Sequence, residues 1–344
     1  MGTATLQVGL VGCGGIARQL HLPVLSRMRD RFELRAVCDA DEARARQVGE
    51  QYGAAWYTSL EAMLAGEPDL AVVDVCTWMW THQLVAVAAA RAGKHVLVEK
   101  PLALTLPWAD EIIAACAEGG VQLEVAENYP RWPNDRVIGR AVAQGVLGRL
   151  LAVYSSTPLH PFALDFNIHR VSQLLAVVDS APVRVQAVMR PQSALPLPGP
   201  EHDLHQFGDP RSRHWGVATV EFANEVLGVV EGPHRGFPGG GSPRRLSGEA
   251  GTLLDSFAPT GELGLYTAEA GDKPWASHTD RITVERQTVE QNGRAAAYLG
   301  RRFIVLLRGW LAAGSATAAR GDHSGRVPDP ARCAKGEAGA WSSG

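Results

Sequence analysis

Leu6-Gln7-Val8-Gly9-Leu10-Val11-Gly12-Cys13-Gly14-Gly15-Ile16-Ala17 decides the fold. An apolar, β-prone run ends at Gly12, and an Ala- and Leu-rich stretch begins at about residue 16. Between them Gly12, Gly14 and Ala17 form the pattern G-x-G-x-x-A, in the order strand, tight turn, helix. Each position has a physical reason. The first glycine allows the turn, the second lets backbone approach a pyrophosphate, and the small third residue lets the helix pack on the strand. The helix start offers N–H groups and a positive dipole end to an anion. Gly12, Gly14, Gly15, Ile16 and Ala17 are therefore read as a dinucleotide-phosphate loop.

The next strand supports this. It spans 33–38 and ends at Asp39, 22 positions after Ala17. A carboxylate there accepts the ribose hydroxyls of NAD and repels the 2′-phosphate of NADP, so NAD(H) is favoured over NADP(H). Arg44 and Arg46 weigh in the other direction. The bland role for Asp39 is to cap the helix at 41–52, but Asp41 is equally available for that cap.

Further outward, apolar runs at 70–76, 95–99 and 121–126 alternate with helical segments at 59–65, 82–92 and 105–118. Ser59, Thr81 and Gly93 provide cap signals. Such alternation means βαβ units and a parallel sheet. After about residue 128 the texture changes. Helices are expected at 133–145 and 165–179, with strands at 149–156, 183–190, 215–223, 225–231, 252–257, 262–267 and 281–287. Residues 191–213 and 232–243 read as loops. The fold class is an α/β N-terminal Rossmann domain (1–127) followed by an α+β domain with a predominantly antiparallel sheet (128–313). A helix is expected at 297–313, and 314–344 reads as a disordered tail.

The totals agree with two globular domains. The chain has 344 residues, 46 % apolar and 20 % charged, with a net charge of −3. This balance gives no reason to expect nucleic acid. No apolar stretch reaches membrane-spanning length, and no membrane partner is expected. The five scattered cysteines lack C-x-x-C spacing, which points to reduced, cytoplasmic thiols. His160, His202, His205 and His214 do not make a metal-ligand pattern, so no metal site is expected.

The most specific string is Ala92-Gly93-Lys94-His95-Val96-Leu97-Val98-Glu99-Lys100-Pro101, a buried strand ending in Glu-Lys-Pro. With the phosphate loop, it resembles the glucose–fructose oxidoreductase / inositol dehydrogenase / rhizopine catabolism (Gfo/Idh/MocA) family. The resemblance is clear from Leu6 to Arg190 and fainter to about residue 287. It implies that Lys100 lies between nicotinamide and substrate, that the Lys100–Pro101 bond is cis, and that Glu99, Thr77, Trp78 and His82 border the cofactor. The family's D-x-G-x-H signature falls on Asp165-Phe166-Asn167-Ile168-His169. Positions i and i+4 share a helix face, and the resemblance makes Lys100, Asp165 and His169 a catalytic trio. His169 is then the general base, Lys100 stabilises alkoxide character, and Asp165 positions its neighbours. These three residues and Arg131, in the crossing segment Glu127-Asn128-Tyr129-Pro130-Arg131-Trp132-Pro133, also form the implied substrate site, although a structural salt bridge suits Arg131 equally.

The chain departs from the family pattern in places. Trp78 replaces a proline, Asn167 replaces a glycine, and only 158–164 separates the preceding strand from Asp165. The activity implied is hydride transfer between NAD(H) and a secondary alcohol or ketone of a sugar, cyclitol or related polyol. The homo-oligomer implied forms through the C-terminal sheet. A non-catalytic cofactor-binding sensor and an NAD-dependent glycosidase are the alternatives.

Overall fold

The computed structural model describes residues 5–158, 163–191, 214–234, 244–255, 263–268 and 277–282. The expected helix at 297–313, the 314–344 tail and Cys333 lie outside these residues, as do most of the two expected loops.

Six strands form the first sheet: β1 (Leu6–Val11), β2 (Phe32–Cys38), β3 (Ala55–Tyr57), β4 (Val72–Val75), β5 (His95–Val98) and β6 (Leu123–Val125). Their order is β3-β2-β1-β4-β5-β6, and every neighbouring pair is parallel. The order reverses at β1 and β4, which opens a crevice at the strands' carboxyl ends. The connecting helices are α1 (Leu22–Arg27), α2 (Glu42–Tyr52), α3 (Leu60–Gly66), α4 (His82–Arg91) and α5 (Leu106–Glu118). A π-helical turn, Ala17–His21, leads into α1. β3, only three residues long, carries too little pattern to be expected from sequence.

Local chemistry explains the helix starts. The Asp41 side chain accepts the Arg44 N–H at the start of α2, and the Ser59 side chain accepts the Ala62 N–H at the start of α3. The cap of α2 thus belongs to Asp41, leaving Asp39 for other partners. Thr81 sits at the N-cap of α4, but its hydroxyl donates to the Trp78 carbonyl instead. Gly93 takes φ +72° just past α4, as its expected role requires.

The second sheet has the order β14-β13-β12-β11-β7-β10-β9-β8. Its strands are β7 (Leu150–Pro158), β8 (Pro182–Pro191), β9 (His214–Phe222), β10 (Leu227–His234), β11 (Arg244–Gly248), β12 (Gly251–Asp255), β13 (Leu263–Ala268) and β14 (Ser277–Ile282). All pairs are antiparallel except β7 with β10. β11 was not expected, because Arg-Arg-Leu-Ser-Gly offers one apolar residue and follows a Gly- and Pro-rich stretch. The last strand begins at Ser277, before its expected 281–287, of which 283–287 lie outside the described residues.

Helices α6 (Pro133–Ala143) and α7 (Ala163–Val178) pack with this sheet. Ile138, Leu147, Val153, Leu174, Phe222, Leu246 and Leu253 are among its buried apolar residues. A buried polar knot stands beside them. Arg244 donates to Asp135 at 2.6 Å and to Asp255 at 2.9 Å, and Gln173 donates to Asp135 at 3.0 Å. Burial pushes the Asp135 carboxyl up despite Arg244 beside it. Removing one partner of such a buried pair strands the other charge, so the knot fixes α6 and α7 against β11 and β12.

Candidate active site

The phosphate loop begins where β1 ends. Gly12 has φ +95°, and a Cβ there would lie 2.7 Å from the Cys76 carbonyl carbon and oxygen. Only glycine fits so close to the end of β4. The Gly12 N–H donates to the Cys38 carbonyl at 2.8 Å, tying the loop to β2. By contrast, a Cβ on Gly14 would meet nothing within 4 Å, so this backbone faces open space. Gly15 and Ile16 start the helix that passes through Ala17, which is fully buried.

Asp39, nearly buried, organises the neighbouring corner. One carboxylate oxygen accepts the Cys13 N–H at 2.8 Å and the other accepts the Asp41 N–H at 2.9 Å. Arg44 Nη1 reaches both oxygens, at 3.2 and 3.3 Å, and Arg44 Nη2 donates to Asp41 at 3.0 Å. Burial, with the Asp39 charge adding to it, pushes the Cys13 thiol up to about 12, so Cys13 stays a neutral packing residue.

Thr77 to His82 follow β4. Thr77 Oγ1 is buried and has no hydrogen-bond partner among the described residues. Trp78 is half exposed and stacks on Trp80, with ring centroids 5.0 Å apart and planes within 6°. His82 is buried, with Nδ1 2.9 Å from the Pro101 carbonyl and Nε2 3.1 Å from the Thr77 carbonyl. Burial holds its pKa down, so the ring is neutral and donates to one carbonyl at a time. His82 thereby ties the Thr77 loop to the loop after Lys100.

The Lys100–Pro101 peptide bond is cis. Just before it, Glu99 joins a buried network that sequence reading missed. His21 Nδ1 is 2.8 Å from Asp74, and its Nε2 is 2.9 Å from Glu99. The other Glu99 oxygen accepts the Lys100 N–H at 3.1 Å. Burial opposes charge on His21, but Asp74 overcomes it and holds the imidazole well above its ordinary value. Burial alone would raise the Glu99 carboxyl. The bond to His21 and the charges of Lys100 and His169 hold it below its ordinary value. The Cys76 sulfur adds a contact to Asp74, so the ligand-type atoms of His21, Asp74 and Cys76 lie within 4.8 Å of one another. Both His21 nitrogens are already engaged with carboxylates, so the group is a hydrogen-bonded network.

His169 arrives from α7. Its Nδ1 lies 2.7 and 2.8 Å from the two Glu127 oxygens, and its ring stacks on Tyr129 with centroids 3.8 Å apart. Glu127 follows Ala126, whose N–H donates to the Val98 carbonyl at 2.8 Å. Lys100 follows β5 and Glu127 follows the neighbouring β6, so Lys100 and the His169–Glu127 pair stand at the carboxyl ends of adjacent strands. Asp165 falls in the first turn of α7, four residues before His169, and its side chain lies outside the described residues. Arg131 donates to Glu124 at 2.6 Å, the structural ion pair anticipated as its other role.

The open backbone at Gly14, the carboxylate at Asp39 and the orphaned Thr77 hydroxyl together fit a dinucleotide laid across β1 and β4. Residues 6–127 match the family described as "Oxidoreductase family, NAD-binding Rossmann fold". The chain is 39 % identical over 140 residues to D-apiose dehydrogenase of Paraburkholderia graminis, covering 40 % of this chain and 36 % of that one. It thus spans about a third of that relative's length. It is 26 % identical over 281 residues to myo-inositol 2-dehydrogenase of Thermotoga maritima, covering 78 % of this chain and 80 % of that one. The fold is shared with the solved structure of KijD10, a 3-ketoreductase from Actinomadura kijaniata in complex with NADP. There the TM-score is 0.67 at 20 % identity, over 90 % of each chain. No helix among the described residues is long and apolar enough to cross a membrane.

Proposed function

We propose, from the match of residues 6–127 to the Gfo/Idh/MocA oxidoreductase family, that this chain is a dehydrogenase or reductase. It interconverts a secondary alcohol and a ketone on a sugar, cyclitol or related polyol, and it prefers NAD(H). One observation supports the reading: Lys100 and the His169–Glu127 pair follow the carboxyl ends of β5 and β6, in the sheet whose β1 and β2 ends carry Gly14 and Asp39. Relatives that act on a sugar and on a cyclitol support the substrate class.

When bound, the nicotinamide supplies the acceptor or donor for hydride. Gly12, Gly14, Gly15, Ile16 and Ala17 would hold the pyrophosphate, Asp39 the adenosine ribose, and Thr77, Trp78 and Glu99 the nicotinamide side. The protein handles the proton. His169 takes it from the substrate hydroxyl, so an O–H bond breaks and an N–H bond forms. Lys100 donates to the same oxygen and stabilises the negative charge that develops there. Asp165 orients the substrate or its catalytic neighbours. In reduction His169 returns the proton. Exposed Val183 and Val185 on β8 support homo-oligomer formation through the second sheet.

A screen of pentoses, anhydrosugars, inositols and linear polyols, read by NADH and NADPH absorbance, tests the proposal. Turnover of at least one class, lost in His169→Asn, is expected. No turnover of any class with either cofactor, in a protein that binds NADH, would move the reading to a cofactor-binding sensor.

A further inference from the structure

Glu127 belongs to neither motif that marks the site, yet it contacts the proposed base directly. Both of its oxygens lie within 2.8 Å of His169 Nδ1. It is held in turn by the Tyr129 N–H, which donates to Oε1 at 2.9 Å, and Tyr129 lays its ring parallel to the imidazole within 7°. Glu127 leaves the β6 end only two residues after Val125, so its backbone is anchored to the sheet. An imidazole between a fixed carboxylate and a fixed ring has little freedom to flip or tilt. His169 is 6 % exposed, so water offers no competing orientation.

We infer that Glu127 is the positioning residue of the reaction: it holds the His169 proton on Nδ1, so that Nε2 exchanges the proton with substrate. The carboxylate does two things. It selects the tautomer, because an acceptor facing Nδ1 requires a hydrogen there. It also stabilises the imidazolium formed when Nε2 takes the hydroxyl proton, because the charge appears 2.7 Å from a carboxylate oxygen. The proton that leaves the substrate oxygen resides on Nε2 and is passed to water or to product in the reverse reaction, so no further acceptor is needed. This logic is that of a carboxylate-oriented histidine in general acid–base catalysis. The inference rests on the proposed assignment of His169 as base.

The test uses the full chain and two readouts. Long-range proton–nitrogen NMR spectra identify the His169 tautomer, assigned by its loss in His169→Asn. The wild type should show the hydrogen on Nδ1. Glu127→Gln, which keeps an acceptor oxygen, should retain that tautomer, whereas Glu127→Ala should lose it. With the substrate found by the screen, kcat should fall about 10²-fold in Glu127→Ala and about 10-fold in Glu127→Gln. KM and NADH binding should change less than about 3-fold in both, in line with a loss confined to the transition state. A purely structural Glu127 would lower melting temperature and cofactor affinity without this split, and that result overturns the inference. So does a wild-type spectrum with the hydrogen on Nε2. Because the spectra need no substrate, an inactive wild type would count against the proposed activity alone, while the tautomer would still decide the role of Glu127.

Discussion

Cofactor choice should depend on the balance between Asp39 and Arg44. The 2′-phosphate of NADP would bring close to two negative charges beside the Asp39 carboxylate. Two unit charges about 4 Å apart repel by roughly 1 kcal/mol in water and about 4 kcal/mol at the effective dielectric of a protein surface. Arg44, 3.2 Å from one Asp39 oxygen, cancels much of this for NADP. We expect a net penalty of about 1.4–2.7 kcal/mol, a preference for NADH of roughly 10- to 100-fold. Asp39→Ala removes the repulsion together with the acceptor for the ribose hydroxyls, so the preference should disappear or reverse. Arg44→Ala leaves Asp39 uncompensated and should widen the preference by about another 10-fold. Asp39 also accepts the Cys13 N–H of the phosphate loop at 2.8 Å, so Asp39→Ala can weaken both cofactors together. The ratio of dissociation constants is therefore the quantity to read, by fluorescence titration of NADH and NADPH into each variant. A wild type that binds NADPH more tightly, or a ratio unmoved by either substitution, would refute the reasoning.

Three further outcomes are expected. Lys100→Met keeps the stem and removes the charge, so NADH binding should persist while kcat drops about 10²-fold or more in steady-state assays. Gly12→Ala forces a left-handed φ of +95° and a 2.7 Å clash with Cys76 backbone, and should abolish measurable NADH binding in the same titration. The His21 network sets a pH signature. His21 is held well above its ordinary value, so its contribution is complete below about pH 6 and is lost progressively as pH rises through the ordinary imidazole value toward the raised one. Glu99 is held below its ordinary value, so its contribution is lost as pH falls through the ordinary carboxylate range. The wild-type melting temperature should thus be level between about pH 5 and 6 and fall as pH rises toward 8. In His21→Gln two buried carboxylates lack their cation, and melting should occur lower at pH 7 by the equivalent of about 3–5 kcal/mol. Its melting temperature should then rise on acidification from about pH 6 toward pH 5, where the wild type is level, since protonation relieves the pair. A variant whose curve parallels the wild type would show that no cation sits on His21.

What could be read in advance follows from the distance over which each interaction acts. The parallel sheet was visible because strand texture, turn glycines and caps are local, and Asp41 was open as the α2 cap because its bond to Arg44 spans three residues. Local spacing put Asp39 at the end of β2. It could not show that Arg44 folds back onto that carboxylate, because the direction of a long side chain depends on its surroundings. The rest of the site lies further beyond the reach of spacing. His21 reads as one more residue of an Ala- and Leu-rich helix until Asp74 and Glu99, 53 and 78 positions away, close around it. Glu127 opens the crossing segment from which only Arg131 stood out, because arginine is a familiar substrate ligand. The structure pairs Arg131 with Glu124 and Glu127 with a histidine 42 residues on. In both cases the signal was a charged residue at a strand's carboxyl end or a histidine on a buried helix face. Burial makes such residues informative, since an unpaired charge there would cost several kcal/mol and a partner must exist. The partner's identity depends on which strand ends lie side by side, which the β3-β2-β1-β4-β5-β6 order determines. That order puts β4 between β1 and β5, which places His21 between Asp74 and Glu99, and it sets β6 beside β5, which puts the His169–Glu127 pair at the strand end next to that of Lys100.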